Sequence, residues 1–232
     1  MSKILAIDTS TEACSVALVD GQNVLANRYE VCPREHNKKV LVMTQQVLDE
    51  AQVSLDAVDF IAYGAGPGSF TGVRITAGIV QGLAFGAKKP VIGVSSLAAM
   101  AHQMYRLHNA KNVIAAIDAR MSEIYLGVYR VKSLGLVEPI EDEKVTPPEG
   151  GLSHFNQSDE WHGTGTGWQT YRDELTCQVK VVVDDETLFP NAIDIALLAL
   201  EKANKGQQQS AEHVVPTYLR NDVAWKKMPG RE

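Results

Sequence analysis

The sequence predicts an α/β fold made of two similar units, each with a mixed five-stranded sheet and flanking helices. Three observations lead to this prediction. The string Ala6-Ile7-Asp8, at the end of an apolar strand, recurs as Ala116-Ile117-Asp118. A short polar turn and a returning strand follow each copy, and the order of the later elements is repeated as well, which indicates an internal duplication. Apolar runs of strand length also alternate with helical patterns, which is typical of α/β domains.

The first unit is predicted to hold five strands and three helices. Strands are expected where short apolar runs end at polar turns, and helices where apolar residues recur at intervals of three and four. The pair Ser95-Ser96 marks the start of the last helix, because serine favours the N-cap. The predicted strands are Ile4–Asp8, Cys14–Asp20, Val24–Val31, Val58–Tyr63 and Pro90–Val94, and the predicted helices are His36–Gln52, Thr71–Ala87 and Ser96–Leu107.

The second unit repeats this order with shorter elements. A turn or short helix is expected after Pro147-Pro148. The first predicted strand ends at Asp118, and the others span Glu123–Val131, Leu136–Val145, Trp161–Thr164 and Val179–Val183. One predicted helix ends near Leu175, and another spans Ala192–Lys205. We therefore expect a first domain at residues 1–108 and a second at 109–232. The last segment, 216–232, is expected to pack either back on the first domain or on a partner.

Composition and charge restrict the class of protein. Of the 232 residues, 45% are hydrophobic and 22% charged, as in an ordinary soluble globular protein, and no apolar run has the length of a membrane span. The formal net charge of −6 disfavours a protein that binds nucleic acid by itself. No signal peptide is expected at the start. Cys14, Cys32 and Cys177 form no CxxC pair, so we expect no disulfide framework or zinc site and favour a reducing cytoplasm.

A glycine-rich loop follows the fourth predicted strand and opens the second helix. Its sequence is Gly64-Ala65-Gly66-Pro67-Gly68-Ser69-Phe70-Thr71-Gly72-Val73-Arg74. Such a loop can direct backbone N–H groups at an anion. Its glycines can equally serve a sharp turn and close packing of helix on sheet. The spacing matches neither a Walker loop nor a dinucleotide-binding fingerprint, so both interpretations stay open.

The helix after this loop carries glycine at every fourth position. Gly78, Gly82 and Gly86 therefore share one face, and Ile75, Ile79 and Leu83 cover much of the rest, which predicts a helix buried nearly all round. Each glycine inside a helix costs roughly 1 kcal/mol relative to alanine. Three of them on one face indicate that something packs there at backbone distance, either the chain's own sheet or a helix of another chain.

The duplicated order of elements resembles the actin, Hsp70 and sugar-kinase (ASKHA) superfamily. In that superfamily the two hairpin turns hold the phosphates of ATP, acidic residues hold magnesium through water, and adenosine lies where Gly163–Gly167 falls here. The resemblance implies a nucleotide or anion site, and an Asx or Ser/Thr turn is the alternative explanation for the first hairpin. The residues of this candidate site, which we expect to be vestigial, are Asp8, Thr9, Ser10, Gly66, Gly68, Ser69, Asp118 and Arg120.

No catalytic set accompanies this outline. The six histidines form no HxxxH or HExxH pair on a helix, so a metalloprotease-like centre is not expected. Ser69 does not lie in a GxSxG elbow. The turn at Asp118–Ser122 lacks the glycine that backbone contact with phosphate usually needs, and Arg120 could contact an anion or pair with Asp8 or Glu123.

Four strings together resemble the TsaB (YeaZ) family of bacterial tRNA modification, over essentially the whole chain. They are residues Ile4–Thr11, the loop Gly66–Arg74, the turn Asp118–Met121 and the segment Pro216–Arg220. The resemblance implies a non-catalytic paralogue of TsaD, the enzyme that transfers a threonylcarbamoyl group to the adenosine adjacent to the anticodon. TsaD relatives carry a paired-histidine metal site. Here His36 stands alone, with Val40 one helical turn later, which fits a subunit without catalysis.

The resemblance also implies partners. Family members form homodimers, bind TsaD through helices of the first domain, and are joined by the ATPase TsaE; tRNA contact is expected to be indirect or weak. No cofactor is expected for the isolated chain, although a nucleotide could bind in the assembled complex. The residues predicted at the partner or dimer interface are Val40, Met43, Val47, Leu48, Ala51, Ile75, Gly78, Ile79, Gly82 and Gly86.

Two other functions remain as alternatives. An active ATP-dependent phosphotransferase of the same superfamily would use the cleft between the domains, with Asp8 near magnesium. A peptidase is suggested only by older naming of TsaD relatives, and no nucleophile–base or metal pair in the sequence supports it.

Overall fold

The computed structural model describes residues 2–132, 135–155 and 159–220. The first half of the chain contains five strands and three long helices, as predicted. They are β1 (Lys3–Asp8), β2 (Ala13–Asp20), β3 (Asn23–Val31), α1 (His36–Ala51), β4 (Phe60–Gly66), α2 (Phe70–Ala87), β5 (Val91–Ser95) and α3 (Ser96–His108). The boundaries differ from the predicted ones by no more than three residues at any end.

These strands form a mixed sheet in the order β3-β2-β1-β4-β5. Strands β1, β2 and β3 are antiparallel neighbours, with Ile4 opposite Val19, whereas β4 and β5 run parallel to β1. Helices α1 and α2 cover one face of this sheet, and the other face is covered by a later helix. Both faces of β1 are therefore buried, which explains its nearly unbroken apolar sequence.

The second half of the chain forms a six-stranded sheet, one strand more than predicted. Its elements are β6 (Asn112–Arg120), β7 (Glu123–Val131), β8 (Val137–Pro139), β9 (Lys144–Thr146), β10 (Trp161–Thr164), α4 (Thr166–Thr170), α5 (Arg172–Thr176), β11 (Val181–Val183) and α6 (Ala192–Asn204). The sheet order is β11-β10-β6-β7-β8, and β9 also pairs with β7.

The extra strand arises because the strand predicted at Leu136–Val145 is split. Its two parts pair with different stretches of β7, β8 with residues 129–131 and β9 with residues 124–126. Pro139 ends the first part, since proline cannot donate a hydrogen bond to a strand ladder. The helix predicted to end near Leu175 is likewise two separate short helices, α4 and α5.

Helix α6 lies on the first sheet, although the sequence order places it in the second unit. Its buried residues Ile195, Ala196 and Ala199 pack with Ile4 and other residues of the first sheet. The chain then stays with the first unit: Gln209 pairs with Val91, and the Thr217 N–H donates to the Ala65 carbonyl. The division of the chain at residue 108 remains a prediction, and of the segment predicted to pack back, residues 221–232 lie outside the described ranges.

The core under helix α1 contains four of the ten residues that the sequence assigned to a partner interface. Val40 and Val47 are fully buried, and Met43 and Leu48 nearly so, all in the cluster between α1 and the first sheet. The prediction that these four side chains supply the centre of an interface is therefore wrong. Apolar residues at intervals of three and four mark the helix face that is buried, and in α1 this face packs on the chain's own sheet.

Helix α2 is buried on one side only, contrary to the prediction that it is buried nearly all round. Val73, Ala77, Val80 and Ala84 pack inward. The three stripe glycines Gly78, Gly82 and Gly86 are exposed, and an added Cβ at each would have no neighbouring atom within 4 Å. Nothing in the described part of the chain packs on this face.

We expect Val47→Asp to unfold the protein rather than to probe an interface. The substitution would bury an unpaired carboxylate in the core, at a loss of about 4 kcal/mol or more in the free energy of unfolding. Urea unfolding followed by circular dichroism measures this loss. A variant with wild-type stability would contradict the placement of α1.

Within the described ranges, no helix combines the length and the hydropathy that a membrane crossing requires.

Candidate functional site

The first hairpin turn lies directly beneath the glycine-rich loop. An added Cβ at Gly64, Gly68 or Gly72 would lie less than 3.0 Å from Asp8 Oδ1, the Ser10 carbonyl oxygen or the Thr9 carbonyl oxygen, respectively. No side chain fits at such distances, so these glycines are required for close packing. The structure therefore favours the packing interpretation of the loop over the anion-binding one.

Hydrogen bonds fix the turn in this place. The Thr9 hydroxyl donates to the Gly72 carbonyl at 2.8 Å, and the Thr9 N–H donates to the Thr76 hydroxyl at 2.9 Å. The Ser69 N–H donates to the Ser10 carbonyl at 2.7 Å. As a result, the backbone groups of the turn and the loop bind one another.

Asp8 is fully enclosed by this packing. Burial raises the pKa of its carboxyl group from 3.8 to about 7, even though hydrogen bonds from the Ser10 hydroxyl and N–H oppose the rise. A carboxylate that holds a hydrated magnesium ion has to be ionised and open to solvent. The first hairpin therefore does not fit a magnesium–triphosphate group.

A cleft of about 570 Å³ separates the glycine-rich loop from the second hairpin. Its walls include Gly68, Ser69, Asp118 and Arg120, which the sequence placed in the candidate anion site. The other four members of that predicted site do not line the cleft: Asp8, Thr9, Ser10 and Gly66. The predicted residues thus divide into an open half and a buried half.

The arginine of the second hairpin is paired with acidic side chains of the chain itself. The Arg120 guanidinium donates to Asp118 at 2.8 Å and lies 3.6 Å from Glu12 across the cleft. Arg120, Met121 and Ser122 all have positive φ, near 60°, which Gly residues usually provide in such a turn. At Gly165, a Cβ would lie less than 3.0 Å from the Ala116 carbonyl oxygen, so the Gly163–Gly167 segment also contains a glycine required by packing.

No metal or nucleophile centre forms among the described residues. Within those ranges, no three His, Cys, Asp or Glu side chains come together in a group that could hold a metal ion. His36 is buried, and its Nε2 has no hydrogen-bond partner in the described part of the chain. Sequence reasoning missed the trio in which the buried Asp194 accepts from His102 at 2.6 Å and from the partly exposed Arg106 at 2.7 Å; it joins α3 to α6.

Between Ile75 and Gly86, the exposed side of α2 forms an uncharged surface, which we call the helical face. It consists of the three stripe glycines and Phe85, together with the half-buried Ile75, Ile79 and Leu83, which also pack against the core beneath the helix. Phe85 is 73% exposed, and Leu41 and Val42 of α1 are about half exposed. Sequence reasoning missed Phe85, Leu41 and Val42, because they fall outside the regular apolar series. An apolar exposed helix surface of this kind is typical of a protein interaction site.

We expect the free energy of unfolding to fall as the pH rises from the unfolded-state pKa of Asp8 to its folded-state pKa of about 7. Its pKa is about 7 when folded and near 3.8 when unfolded, so the folded state retains the proton longer. The unfolding free energy of the wild type should therefore drop by about 2–3 kcal/mol between pH 5 and pH 8, relative to Asp8→Asn. Urea unfolding of both proteins at the two pH values tests this. Parallel pH profiles would contradict the burial of an ionisable Asp8.

Taken together, the two mixed sheets, the facing hairpins and the cleft between them define the ASKHA (actin-like) fold. A structure of 12% sequence identity shares this fold, the Acidaminococcus fermentans (R)-2-hydroxyglutaryl-CoA dehydratase component A, with a TM-score of 0.50 over 88% of this chain and 100% of that one. The model of the family described as TsaD, tRNA N6-adenosine threonylcarbamoyltransferase, matches residues 23–228.

Closer relatives identify the branch of that family. The Escherichia coli (strain K12) tRNA threonylcarbamoyladenosine biosynthesis protein TsaB is 48% identical over 99% of this chain and 100% of its own. A crystal structure from Pseudomonas aeruginosa, described as an uncharacterized protein with similarity to peptidase YeaZ, is 46% identical, with a TM-score of 0.89 over 95% of this chain and 100% of that one. The chain belongs to the TsaB (YeaZ) family.

Proposed function

We propose that this protein is a non-catalytic scaffold subunit of tRNA threonylcarbamoyladenosine biosynthesis. It acts by binding and activating a catalytic TsaD-like paralogue, and a TsaE-like ATPase joins the pair. The observation that carries the proposal is the burial of Asp8 and its hairpin beneath the glycine-rich loop. An ASKHA enzyme needs this hairpin open to the phosphates and the metal, and here its polar groups are used within the fold.

The helical face supports the second part of the proposal, that the protein works through a partner. Its glycines allow another helix to approach at backbone distance, and Ile75, Ile79 and Phe85 supply apolar area around them. A specific interface buries roughly 800 Å² on each partner. Helix α2 has five turns, and with the neighbouring side chains of α1 it can provide a surface of that order. The same face would serve a homodimer when the paralogue is absent.

The net charge of −6 supports a subunit that leaves tRNA contact mainly to the paralogue. Phosphate contacts come from lysine and arginine and dominate the affinity for nucleic acid. We accordingly propose indirect or weak tRNA contact for this chain, together with action in the cytoplasm, where tRNA is modified.

One observation favours a second candidate, an ATP-dependent phosphotransferase. The cleft of about 570 Å³ is large enough for a nucleotide, and Asp118 and Arg120 line it. This candidate needs Asp8 to reach a nucleotide phosphate in the cleft. In this structure the glycine-rich loop lies between Asp8 and the cleft. A nucleotide that binds in the cleft of the assembled complex is compatible with the scaffold function.

Calorimetric titrations of the purified chain distinguish the two candidates. We expect tight binding to the TsaD-like paralogue and little or no heat with Mg-ATP. Micromolar binding of Mg-ATP, with loss of that binding in Asp8→Asn and no affinity for the paralogue, would overturn the scaffold function in favour of the enzyme.

A further inference from the structure

A second surface lies at the mouth of the cleft, next to the first turns of the helical face. Here the Arg74 guanidinium is stacked on two aromatic rings: its Cζ lies 3.2 Å from the centroid of Phe70 and 5.1 Å from that of Tyr218. Its Nη1 also donates to the Phe70 carbonyl at 3.1 Å. We call these three residues the arginine clamp. The clamp holds the guanidinium in one orientation, which a free arginine side chain does not have.

The clamp is not neutralised within the described ranges. Two other arginines of the cleft mouth are paired: Arg120 with Asp118 and Arg220 with Glu123. For Arg74, by contrast, no carboxylate among residues 2–132, 135–155 and 159–220 lies within ion-pair distance. Its remaining N–H groups are free of protein partners in that part of the chain, so an ordered cation faces solvent.

The residues around this cation are unusually apolar for an exposed surface. Phe70 is 64% exposed and Tyr218 46%; Met121, which contacts the neighbouring Arg220, is 75% exposed. Aromatic residues, methionine and arginine are the types enriched in protein interfaces, and tyrosine and arginine are frequent hot spots. Because the stacking already orders Arg74, a partner loses less side-chain entropy when it binds there.

We propose that the arginine clamp binds a carboxylate of a second protein partner, presented between apolar side chains. This inference rests on the proposed scaffold function and extends it to a second partner surface. Charge favours protein over RNA as the occupant: of the three arginines that the described residues place at the cleft mouth, Arg120 and Arg220 are paired and Arg74 is not. A single unpaired cation is a poor footprint for a phosphate backbone, which requires several, whereas it suffices for one bidentate carboxylate.

The clamp lies at one end of the helical face, one helical turn before Gly78, and its distance from the centre of that face leaves room for a second partner. Arg74 and Gly82 are eight residues apart on α2, which is about 12 Å along the helix axis. They also point in directions that differ by about 80° around it. A protein bound at the clamp can therefore contact this chain while the paralogue occupies the helical face around Gly82 and Gly86.

The test uses the TsaE-like ATPase as the probe, titrated into the chain alone and into its complex with the paralogue. We expect Arg74→Ala to weaken ATPase binding by about 10–100-fold and Arg74→Lys to restore little, because an ammonium group cannot form the planar bidentate contact. Paralogue binding should be unchanged in both. Arg172→Ala, which removes an exposed arginine paired with Asp185 in the second unit, is the matched control and should leave both affinities unchanged.

Several outcomes would overturn the clamp inference. These are wild-type ATPase binding by Arg74→Ala, no ATPase binding by the wild type, and weakened paralogue binding by Arg74→Ala. Loss of tRNA binding by the complex instead, tested at low and high salt, would assign the clamp to RNA. If the wild type fails to bind the paralogue, the scaffold function fails, and the titration of the chain alone still decides the clamp.

Discussion

A chain carrying Gly82→Arg should fold normally and lose at least about a hundredfold of its affinity for the TsaD-like paralogue, or about 2.7 kcal/mol. Gly82 is exposed, and an added Cβ has no atom within 4 Å, so the fold has room for the new side chain. Replacing glycine inside a helix also favours folding by up to about 1 kcal/mol. The long charged side chain would, however, stand where a partner helix has to approach at backbone distance. Gly82→Arg should also abolish the self-association of the chain, because the proposed homodimer uses the same face.

Two measurements check this prediction together. Thermal unfolding should show a midpoint at or above that of the wild type, and calorimetry should show the loss of affinity. The matched control is Gln207→Arg, which adds the same charge at an exposed position just after α6, the helix that covers the other face of the first sheet. Unchanged paralogue binding by a folded Gly82→Arg chain would show that the helical face is not the interface.

Glycine-to-alanine substitutions at two positions of helix α2 should change stability in opposite directions. At Gly72 the new Cβ would lie less than 3.0 Å from the Thr9 carbonyl oxygen and the Ser69 hydroxyl, so the hairpin and the loop have to separate. We expect a loss of about 3 kcal/mol or more in the free energy of unfolding, as in overpacked cores. At Gly78, where nothing lies within 4 Å, alanine should instead stabilise the fold by up to about 1 kcal/mol.

Denaturant unfolding of both variants measures this difference, and each variant is the control for the other. The substitution and the helix are the same, and the propensity term is at most about 1 kcal/mol at either position, so the larger difference reports on the surroundings. A Gly72→Ala protein as stable as the wild type would mean that the loop is not closed on the hairpin, and that the phosphate side of the cleft is open after all.

Most of the fold could be predicted from the sequence because local periodicity determines it. Helix α1 was placed to within one residue, and the duplication gave the two sheets and their facing hairpins. What local patterns could not supply was long-range placement. Helix α6 follows the second sheet in the chain but packs on the first, where its buried side chains meet Ile4 and its neighbours. The split of the third strand of the second unit depends on where each half pairs along β7.

The candidate site shows the same division. The glycine-rich loop was recognised, but its two interpretations could be separated only by the atoms opposite the glycines, which come from Asp8–Ser10 more than fifty positions earlier in the chain. The apolar series of α1 was assigned to a partner surface, whereas such a series marks a buried face whichever surface it packs on. The stripe glycines of α2 were correctly placed on one face, and their exposure leaves the predicted interface there a prediction to be tested.

The arginine clamp was not predicted, because its parts are distant in sequence. Phe70 and Arg74 are one helical turn apart and could have been paired from spacing. Tyr218 lies near the other end of the chain and reaches them only because the segment after α6 returns to the first unit. The sequence offers no local signal for that return.

The measurement that tests the scaffold function most directly is threonylcarbamoyl transfer to tRNA in a reaction reconstituted from the chain, its paralogue and the ATPase. Asp8→Asn should support transfer close to the wild-type rate, because the buried carboxyl group takes no part in the chemistry. Gly82→Arg should reduce transfer to the level seen without the chain. The opposite pattern, in which Asp8→Asn still binds the paralogue but abolishes transfer while Gly82→Arg remains active, would contradict the account and make this protein an enzyme.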